Sequence, residues 1–509
     1  MKVKIEFIDH SEMKITGSGR ALYKAHEAFR FRVEGYMFSP AFKRGWDGYI
    51  NLIDKMGVVA SGLLEDVLDF FKKIDTEVEV ADELIYQPEY TKEYVMDWID
   101  SFKIKIKDGT EIKPYWFQKD AVWEYVSKRR TTLLFPTSAG KSLIQALCVR
   151  FFLDHNKDDR VLVIVPKTDL VTQLTDNFLE YDLFTEDEVN MVMTGHKYSP
   201  LHRINISTWQ SAVKFHKTDF ADIGFIMVDE CHNAKADSIQ KIVKNASHCA
   251  HRVGLTGTLG EDETDQGKAN ILQIIGLFGK VFQPVTTIEL IEAGLVCDIT
   301  IMNMFLRYGD EFTEKVNALP YQSEIKVLTN HVARNKFIAN FACKLAGMKK
   351  NVFVMFRFEE HGKLLYEYIK EMAEEMGVDP DEVYFINGKI DSATRKFIRK
   401  NAEKVNGTII VASEKTFSEG ISINNLHHAI IASPLKSMIT VLQTIGRLLR
   451  LHKSKKMAYL WDFVDDIALR KPDGKPDMKK MNYALDHGLK RMQYYNKEGF
   501  KREVKKFQI

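Results

Sequence analysis

Short aliphatic runs alternate with longer amphipathic ones through most of this chain. TTLLFP, KSLIQALCVRFFLDH, RVLVIVP, DLVTQLTDNFLEYD, INIST and FIMVDE follow one another between residues 101 and 285. Nearly continuous aliphatic strands separated by helices predict a parallel sheet buried on both faces, hence a doubly wound α/β domain. A second series, ITIMNMFL, NVFVMFR, EVYFING, GTIIVAS, HAIIASP and MAYLWDF, is broken by helical stretches such as HGKLLYEYIKEMAEEM. It predicts a second lobe of the same class over 286–467. Residues 1–100 differ: alternating stretches (VKIEFID, YINLID) and one helical stretch (SGLLEDVLDFFKKI) predict a small α+β module with its turn at GWDGYI, 45–50. Residues 468–509 read as a basic helical tail. No repeat of 20 to 50 residues and no low-complexity tract interrupts this order.

Composition narrows the class. The chain has 509 residues, 45% hydrophobic and 28% charged, the balance of a soluble multidomain protein. No apolar run reaches the length of a membrane span and MKVKIEFIDH is not a secretory signal, so a cytoplasmic location without membrane partners is expected. Five scattered cysteines without a C-x-x-C pair argue against disulfides and zinc. The formal net charge is only +2, yet residues 445–509 hold 17 Lys/Arg against 8 Asp/Glu, a surplus suited to a phosphate backbone.

Three segments carry chemistry. In LLFPTSAGKSLIQAL a strand runs into a small-residue loop and then a helix, the geometry that binds a nucleoside triphosphate. Pro136, Thr137, Ser138, Ala139 and Gly140 form the loop, Lys141 reaches the β/γ-phosphates, and Ser142 can ligate Mg²⁺. Phe135 stands where the G-x-x-x-x-G-K-[ST] pattern has glycine, and an accidental turn with a solvated lysine is the competing interpretation. FIMVDECH sets Asp229 to hold Mg²⁺ through its water shell and Glu230 to orient or deprotonate the attacking water. An exposed acidic turn is the plainer interpretation of those two residues alone. In VLQTIGRLLRLH, helical spacing puts Gln443, Arg447 and Arg450 on one face, where two guanidinium groups can approach one phosphate. A solvated face is the alternative.

Together PTSAGKS, DECH and QTIGRLLR, in this order, resemble the superfamily 2 helicases and translocases over residues 113–465. The resemblance implies two tandem RecA-like lobes, ATP and Mg²⁺ as cofactors, and adenine read by the amide of Gln118. VPKTDLVTQ and STWQS look like first-lobe strand-holding motifs, which assigns Pro166, Lys167, Thr168, Thr208 and Gln210 to nucleic acid. LTGTLG looks like a coupling motif with Thr256 and Thr258 as hydroxyl relays. VFVMFRF and VASEKTFSEGISI look like motifs IV and V, adding Phe356, Arg357 and Thr416 as strand contacts and Gly420 to the coupling set; Gly388, between the two segments, is also expected to contact nucleic acid. Ile421 and Ser422 follow Gly420 where many relatives carry an acid, which puts a coupling role for position 422 in doubt.

Over nearly its whole length, from GWDGYINLID to VLQTIGRLLRLH, the chain resembles the recombination helicases of T-even phages. That implies an ATP-dependent, 3′ to 5′ DNA motor acting on branched DNA in recombination, replication and repair: fork regression, Holliday junction branch migration and R-loop unwinding. It would be a monomer in the host bacterial cytoplasm, meeting single-stranded DNA, RNA in R-loops, and single-strand-binding and recombination proteins. An RNA helicase, a duplex translocase and an ATP-gated annealing or clamp protein remain as alternatives. Tyr36, Phe38, Phe42, Lys43 and Arg44 suit a base-stacking surface or a small core equally. Trp46 is expected to cap a hairpin rather than meet a DNA base, and Trp209 to belong to the core rather than stack on a base.

Overall fold

A computed structural model describes residues 2–106, 109–193, 197–233, 237–260, 264–388, 390–414, 416, 423–471, 477 and 481–509. Its contacts divide the chain into two compact units, Met1–Val285 and Thr286–Ile509.

The first unit opens with a four-stranded sheet of β1 (Lys2–Phe7), β2 (Glu12–Gly17), β3 (Val58–Ala60) and β4 (Glu77–Val80), in the order β3-β2-β1-β4. Alternation in KVKIEF puts Val3 and Ile5 on the buried face. Helices α1 (Gly19–Ala28) and α2 (Leu64–Lys73) contribute Ala21, Ala25, Val67 and Phe71 to the same core. A hairpin of Arg30–Arg32 and Tyr49–Asn51 stands beside it, where the Trp46 indole N–H donates to the Tyr49 carbonyl at 3.0 Å, the expected cap.

Helix α3 (Trp116–Lys128) leads into a seven-stranded sheet of β5 (Arg130–Leu134), β6 (Arg160–Val165), β7 (Val189–Val192), β8 (Ile204–Thr208), β9 (Ile223–Val228), β10 (His251–Thr256) and β11 (Val281–Phe282). All pairings are parallel and the order is β7-β8-β6-β9-β10-β5-β11. Helices α4 (Lys141–His155), α5 (Thr168–Glu180) and α6 (Asp265–Phe278) belong to its crossovers. The N-terminal module is not a separate body. Ile275, Ile271 and Leu272 of α6 pack into its core, and Gly62 lies so close to α6 that a Cβ there would sit 2.2 Å from the Ile275 carbonyl oxygen. Buried Arg252 donates to Ser11 Oγ at 2.8 Å, and Arg130 donates to the His10 carbonyl.

The second unit repeats the plan. Its strands are β12 (Asp298–Arg307), β13 (Val352–Phe356), β14 (Val383–Ile386), β15 (Ile409–Ser413), β16 (His428–Ile431), β17 (Met457–Asp466) and β18 (Lys501–Gln508). They lie in the order β14-β15-β13-β16-β17-β12-β18, all parallel. Ranked by position in the chain, both sheets read 3-4-2-5-6-1-7. Helix α7 (Met438–Leu448) lies between β16 and β17, and α8 (Tyr483–Lys497) between β17 and β18.

The terminal segment thus holds the expected helix and also a strand that a basic helical tail does not contain. Strand β18 takes the place in the second sheet that β11 takes in the first. Helix α8 is held by buried charge: Arg491 and Asp462, both fully buried, pair at 2.6 Å, with Tyr495 Oη also donating to Asp462 at 2.9 Å. At the N-terminus of α8 the Glu324 carboxylate accepts from the Tyr483 and Ala484 backbone N–H groups at 3.0 and 2.8 Å, the favourable place for an anion. A second buried pair, Arg334 with Asp465 at 2.7 Å, ties β17 to helix Val332–Gly347. Removing one member of such a pair costs about 3–5 kcal/mol because the other charge is stranded.

Among the described residues no helix is long and apolar enough to cross a membrane. All five cysteines are free and buried.

Several histidines are folded in neutral. Burial, then neighbouring cations, pushes His10 down to about 4 and His251 to about 3. Burial does the same to His427, to about 4, and with His427 beside it to His428, to about 3. The unfolded chain binds these protons near pH 6.5 and the folded chain does not, so stability is intact above that pH and declines as pH falls toward about 4. Urea midpoints are expected to be flat above about pH 7 and to fall steadily between about 6.5 and 5; an unchanged midpoint across that range contradicts this account.

Candidate nucleotide and strand site

The loop after β5 explains its own departures from the expected pattern. Phe135 is fully buried, its N–H donates to the Thr256 carbonyl at 2.9 Å, and its ring lies near Phe117, so it extends the strand and needs no glycine. The demand for left-handed backbone falls later, on Ser138 (φ 75°) and Gly140 (φ 75°). Beyond Gly140, α4 begins at Lys141 and leaves its first N–H groups facing the loop.

Gln118 sits beneath this loop. Its Nε2 donates to the Ala139 carbonyl at 2.9 Å and its Oε1 accepts from Tyr115 N–H at 2.9 Å. A Cβ on Gly140 would lie 2.4 Å from Nε2. The amide expected to read adenine is here hydrogen-bonded to the loop and braces it.

Asp229 and Glu230 follow β9. The Asp229 N–H donates to the Ile164 carbonyl at 2.8 Å, and Glu230 N–H donates to Asp229 Oδ1 at 2.9 Å, which turns the chain sharply and leaves Glu230 at φ 48°. Burial and the neighbouring Glu230 charge push the Asp229 carboxyl up. Burial also opposes charge on Glu230, but Lys141 and a hydrogen bond from His232 outweigh it and hold this carboxyl low. Lys141 favours the charged form of both acids. Its Nζ lies above Gly257, 3.4 Å from where a Cβ would stand.

From Glu230 a hydrogen-bonded chain runs into LTGTLG. His232 Nδ1 lies 3.3 Å from Glu230 Oε2 and 2.9 Å from Thr256 Oγ1. Thr256 Oγ1 is 2.8 Å from the Thr258 carbonyl, and Thr258 Oγ1 accepts from Gly260 N–H at 3.3 Å. His232 therefore joins the acids to the two threonines.

One partner of this site carries no motif signal. Ser142 Oγ and Tyr181 Oη are 2.8 Å apart. Tyr181 caps the C-terminus of α5, and burial raises its phenol, which stays protonated. The donor set of one hydroxyl and an adjoining carboxylate pair fits a Mg²⁺ ion, which takes few protein ligands and completes its shell with phosphate oxygens and water.

The remaining assigned residues divide by exposure. At the start of α5, Pro166 and Lys167 are half-buried and Thr168 is exposed. Thr208 is buried and its Oγ1 accepts from Ser211 N–H at 3.3 Å, capping a short helix, while Gln210 is exposed. Trp209 packs on the core, as expected. Phe356 does not fit a strand contact: it is 1% exposed, stacked on Phe385 at 5.5 Å and against Gly362, because the last residue of β13 still faces the core. Its neighbour Arg357 is exposed. Gly388 is exposed, and Thr416 Oγ1 is 2.7 Å from Ser413 Oγ. Gly420 lies outside the described residues.

Helix α7 carries Gln443 and Arg447 but ends at Leu448, so Arg450 is not on its face. Lys455 Nζ donates to the Leu448 carbonyl at 2.7 Å and Cys297 N–H donates to the Leu449 carbonyl at 2.7 Å, drawing the chain out of the helix. Arg450 is half-buried, with burial pulling its guanidinium down, Glu403 favouring its charge and Arg399 opposing it. Lys455, hidden in the run HKSKK, was not legible as the group that ends α7.

Left-handed backbone costs a residue with a Cβ about 1–2 kcal/mol. Ser138→Gly is expected to leave the loop intact and raise the thermal midpoint, whereas Ser138→Val is expected to lower stability by about 1–2 kcal/mol and weaken nucleotide binding. Thermal unfolding with and without ATP checks both; a destabilised glycine variant contradicts the strain argument.

Comparison with known proteins accords with this geometry. Residues 2–81 match the family described as DNA helicase UvsW, N-terminal, and residues 86–261 match Type III restriction enzyme, res subunit. The ATP-dependent DNA helicase uvsW of Enterobacteria phage T4 is 40% identical over 509 residues, covering 98% of each chain. The crystal structure of T4 UvsW superposes with a TM-score of 0.52 at 37% identity, covering 100% of both chains. The DNA 3'-5' translocase XPB2 of Sulfurisphaera tokodaii is 24% identical, covering 70% of this chain and 82% of its own. With the phosphate loop, the half-buried acid pair and the threonine relay in this order at strand ends of the first of two sheets of one topology, and with 40% identity over 98% of the phage T4 helicase, the chain belongs to the UvsW family of superfamily 2 DNA helicases.

Proposed function

We propose that this ATP-dependent DNA helicase uses Mg²⁺·ATP to move 3′ to 5′ along one strand and thereby remodels branched DNA: regressed forks, Holliday junctions and R-loops. The observation that carries the reading is the continuous set Lys141, Glu230, His232, Thr256 and Thr258, which joins a phosphate loop to a hydroxyl relay at the ends of β5, β9 and β10. The family supports DNA as the track. The direction is supported by the name of the Sulfurisphaera relative.

In this mechanism the backbone N–H groups between Thr137 and Ser142 cradle the phosphates, and Lys141 neutralises charge on the β- and γ-groups. Mg²⁺, held by Ser142 and through water by Asp229, supplies charge compensation when bound. Glu230, kept ionised by Lys141 and His232, accepts a hydrogen bond from the attacking water and aligns it on the γ-phosphorus as ADP leaves. A change at Glu230 reaches Thr256 through His232, which gives the nucleotide site a path to the strand-holding segments. Arg447 on α7 and Arg450 just beyond its end are the second unit's candidates for stabilising charge on the transferred phosphoryl group.

The N-terminal hairpin supplies a second surface. Arg30 lies 3.8 Å over the Tyr49 ring, Arg32 lies 4.8 Å over Tyr36, and Phe38 is 86% exposed beside them. Arginines stacked on aromatics next to a bare ring suit the splayed bases and phosphates of a DNA branch.

ATP hydrolysis by wild type and Glu230→Gln, without nucleic acid and with single-stranded DNA, four-way junction or RNA, tests this reading. Strong stimulation, greatest with the junction and lost in Glu230→Gln and Lys141→Ala, is expected. Turnover indifferent to nucleic acid, with annealing that survives Glu230→Gln, would favour an annealing clamp instead. Arg450→Ala is expected to keep nucleotide binding and to lower kcat by about 10²-fold or more, as for loss of one transition-state charge. Equal loss of binding and turnover would assign Arg450 to ground-state binding or to folding.

A further inference from the structure

A serine hydroxyl has one proton and two lone pairs, and it can offer a lone pair to a cation only when its proton points elsewhere. Ser142 has such an elsewhere. Its Oγ lies 2.8 Å from Tyr181 Oη, on a phenol that is 9% exposed and fixed at the end of α5. A proton given to Tyr181 leaves the Ser142 lone pairs free for the metal.

Tyr181 is also the far end of an element that begins at a proposed strand contact. Helix α5 starts at Thr168, directly after Pro166 and Lys167, and its 13 residues span about 20 Å. Its buried face, Val171, Leu174, Thr175 and Phe178, packs along one side, and Phe178 stacks on Phe184 at 5.0 Å just beyond Tyr181. The Tyr181 N–H donates to the Asn177 carbonyl at 3.0 Å, so the residue moves with the last turn of the helix. A shift imposed at Lys167 and Thr168 is therefore transmitted along a packed helix to the hydroxyl pair.

We propose that Tyr181 is a positioning residue which aims the Ser142 hydroxyl at the metal-bound nucleotide, and that α5 carries DNA occupancy at Pro166–Thr168 to that hydroxyl. The coupling half rests on the proposed function, because it takes the DNA strand to lie on the start of α5. The orienting half stands on the Ser142–Tyr181 contact and the metal role of Ser142.

Tyr181→Phe removes one oxygen and keeps the ring. The first readout is binding of a fluorescent ATP analogue titrated with Mg²⁺, which does not depend on turnover. Half-saturation is expected to need about 3- to 10-fold more Mg²⁺ in the variant, the range of one hydrogen bond, with metal-free nucleotide binding and the thermal midpoint unchanged. The second is the ratio of DNA-stimulated to basal hydrolysis, expected to fall several-fold while the DNA concentration for half-maximal effect stays constant. In a Ser142→Ala background, Tyr181→Phe is expected to add nothing to the Mg²⁺ shift, because the group it positions is gone. An unchanged Mg²⁺ requirement, or full additivity with Ser142→Ala, overturns the orienting role. An unchanged stimulation ratio in a variant whose Mg²⁺ requirement has shifted overturns the coupling role. Wild-type hydrolysis that DNA does not stimulate instead overturns the motor reading and the coupling with it, leaving the Mg²⁺ titration to decide the orienting role.

Discussion

Two adjacent carboxylates at the end of a buried strand cannot both remain charged without a cation, and Lys141 is the cation here. Everything around it serves that balance. Gln118 braces the loop from which Lys141 projects, β9 delivers Asp229 and Glu230 beside it, and Gly257 leaves room above β10 for its ammonium group. The unequal outcome comes from placement: burial and the Glu230 charge raise Asp229, while Lys141 and then the hydrogen bond from His232 outweigh burial and lower Glu230. Chemistry that needs one ionised acid to align water is thus prepared by burial and neighbours rather than by residue type.

The two-lobe plan was legible because parallel strands buried on both faces leave uninterrupted aliphatic runs, and the segments that announced strands in the sequence are strands in the sheets. The loop and acid pair were legible for a related reason, since both lie directly at strand ends where spacing fixes position. What escaped depends on contacts made across distant parts of the chain. Nothing in FLEYD marks Tyr181 as a partner of Ser142, and nothing in HKSKK marks Lys455 as the donor that stops α7 before Arg450. Helical spacing alone placed Arg450 on a face it does not occupy. Phe356 was assigned to a strand contact from its place in a motif, yet strand alternation continues through it and turns it inward.

The module of the first hundred residues shows the same limit from the other side. Its alternating strands and its helix were readable, but its attachment was not. Gly62 against α6, and Arg252 and Arg130 reaching back to Ser11 and His10, join it to the first lobe through backbone closeness and buried guanidinium groups that no local pattern reports. Exposed Phe38 and the stacked Arg30 and Arg32 therefore ride on a body fixed to the nucleotide-binding sheet. Motion of that lobe carries the surface with it.

Strand β18 has a consequence for how the protein is made. It pairs with β12, Thr300 opposite Lys501 through Arg307 opposite Gln508, so the first-made strand of the second sheet meets the last-made one. During synthesis β12 can pair with β17 on one side while its other edge stays open, a template for any passing strand. Closing it requires a contact across nearly the whole lobe, the kind that forms slowly. Lys501, Arg502, Lys505 and Lys506 give the closing strand a charge that discourages pairing between two nascent chains. The same charges that read as a tail in the sequence thus suit an edge strand whose one proper partner is β12.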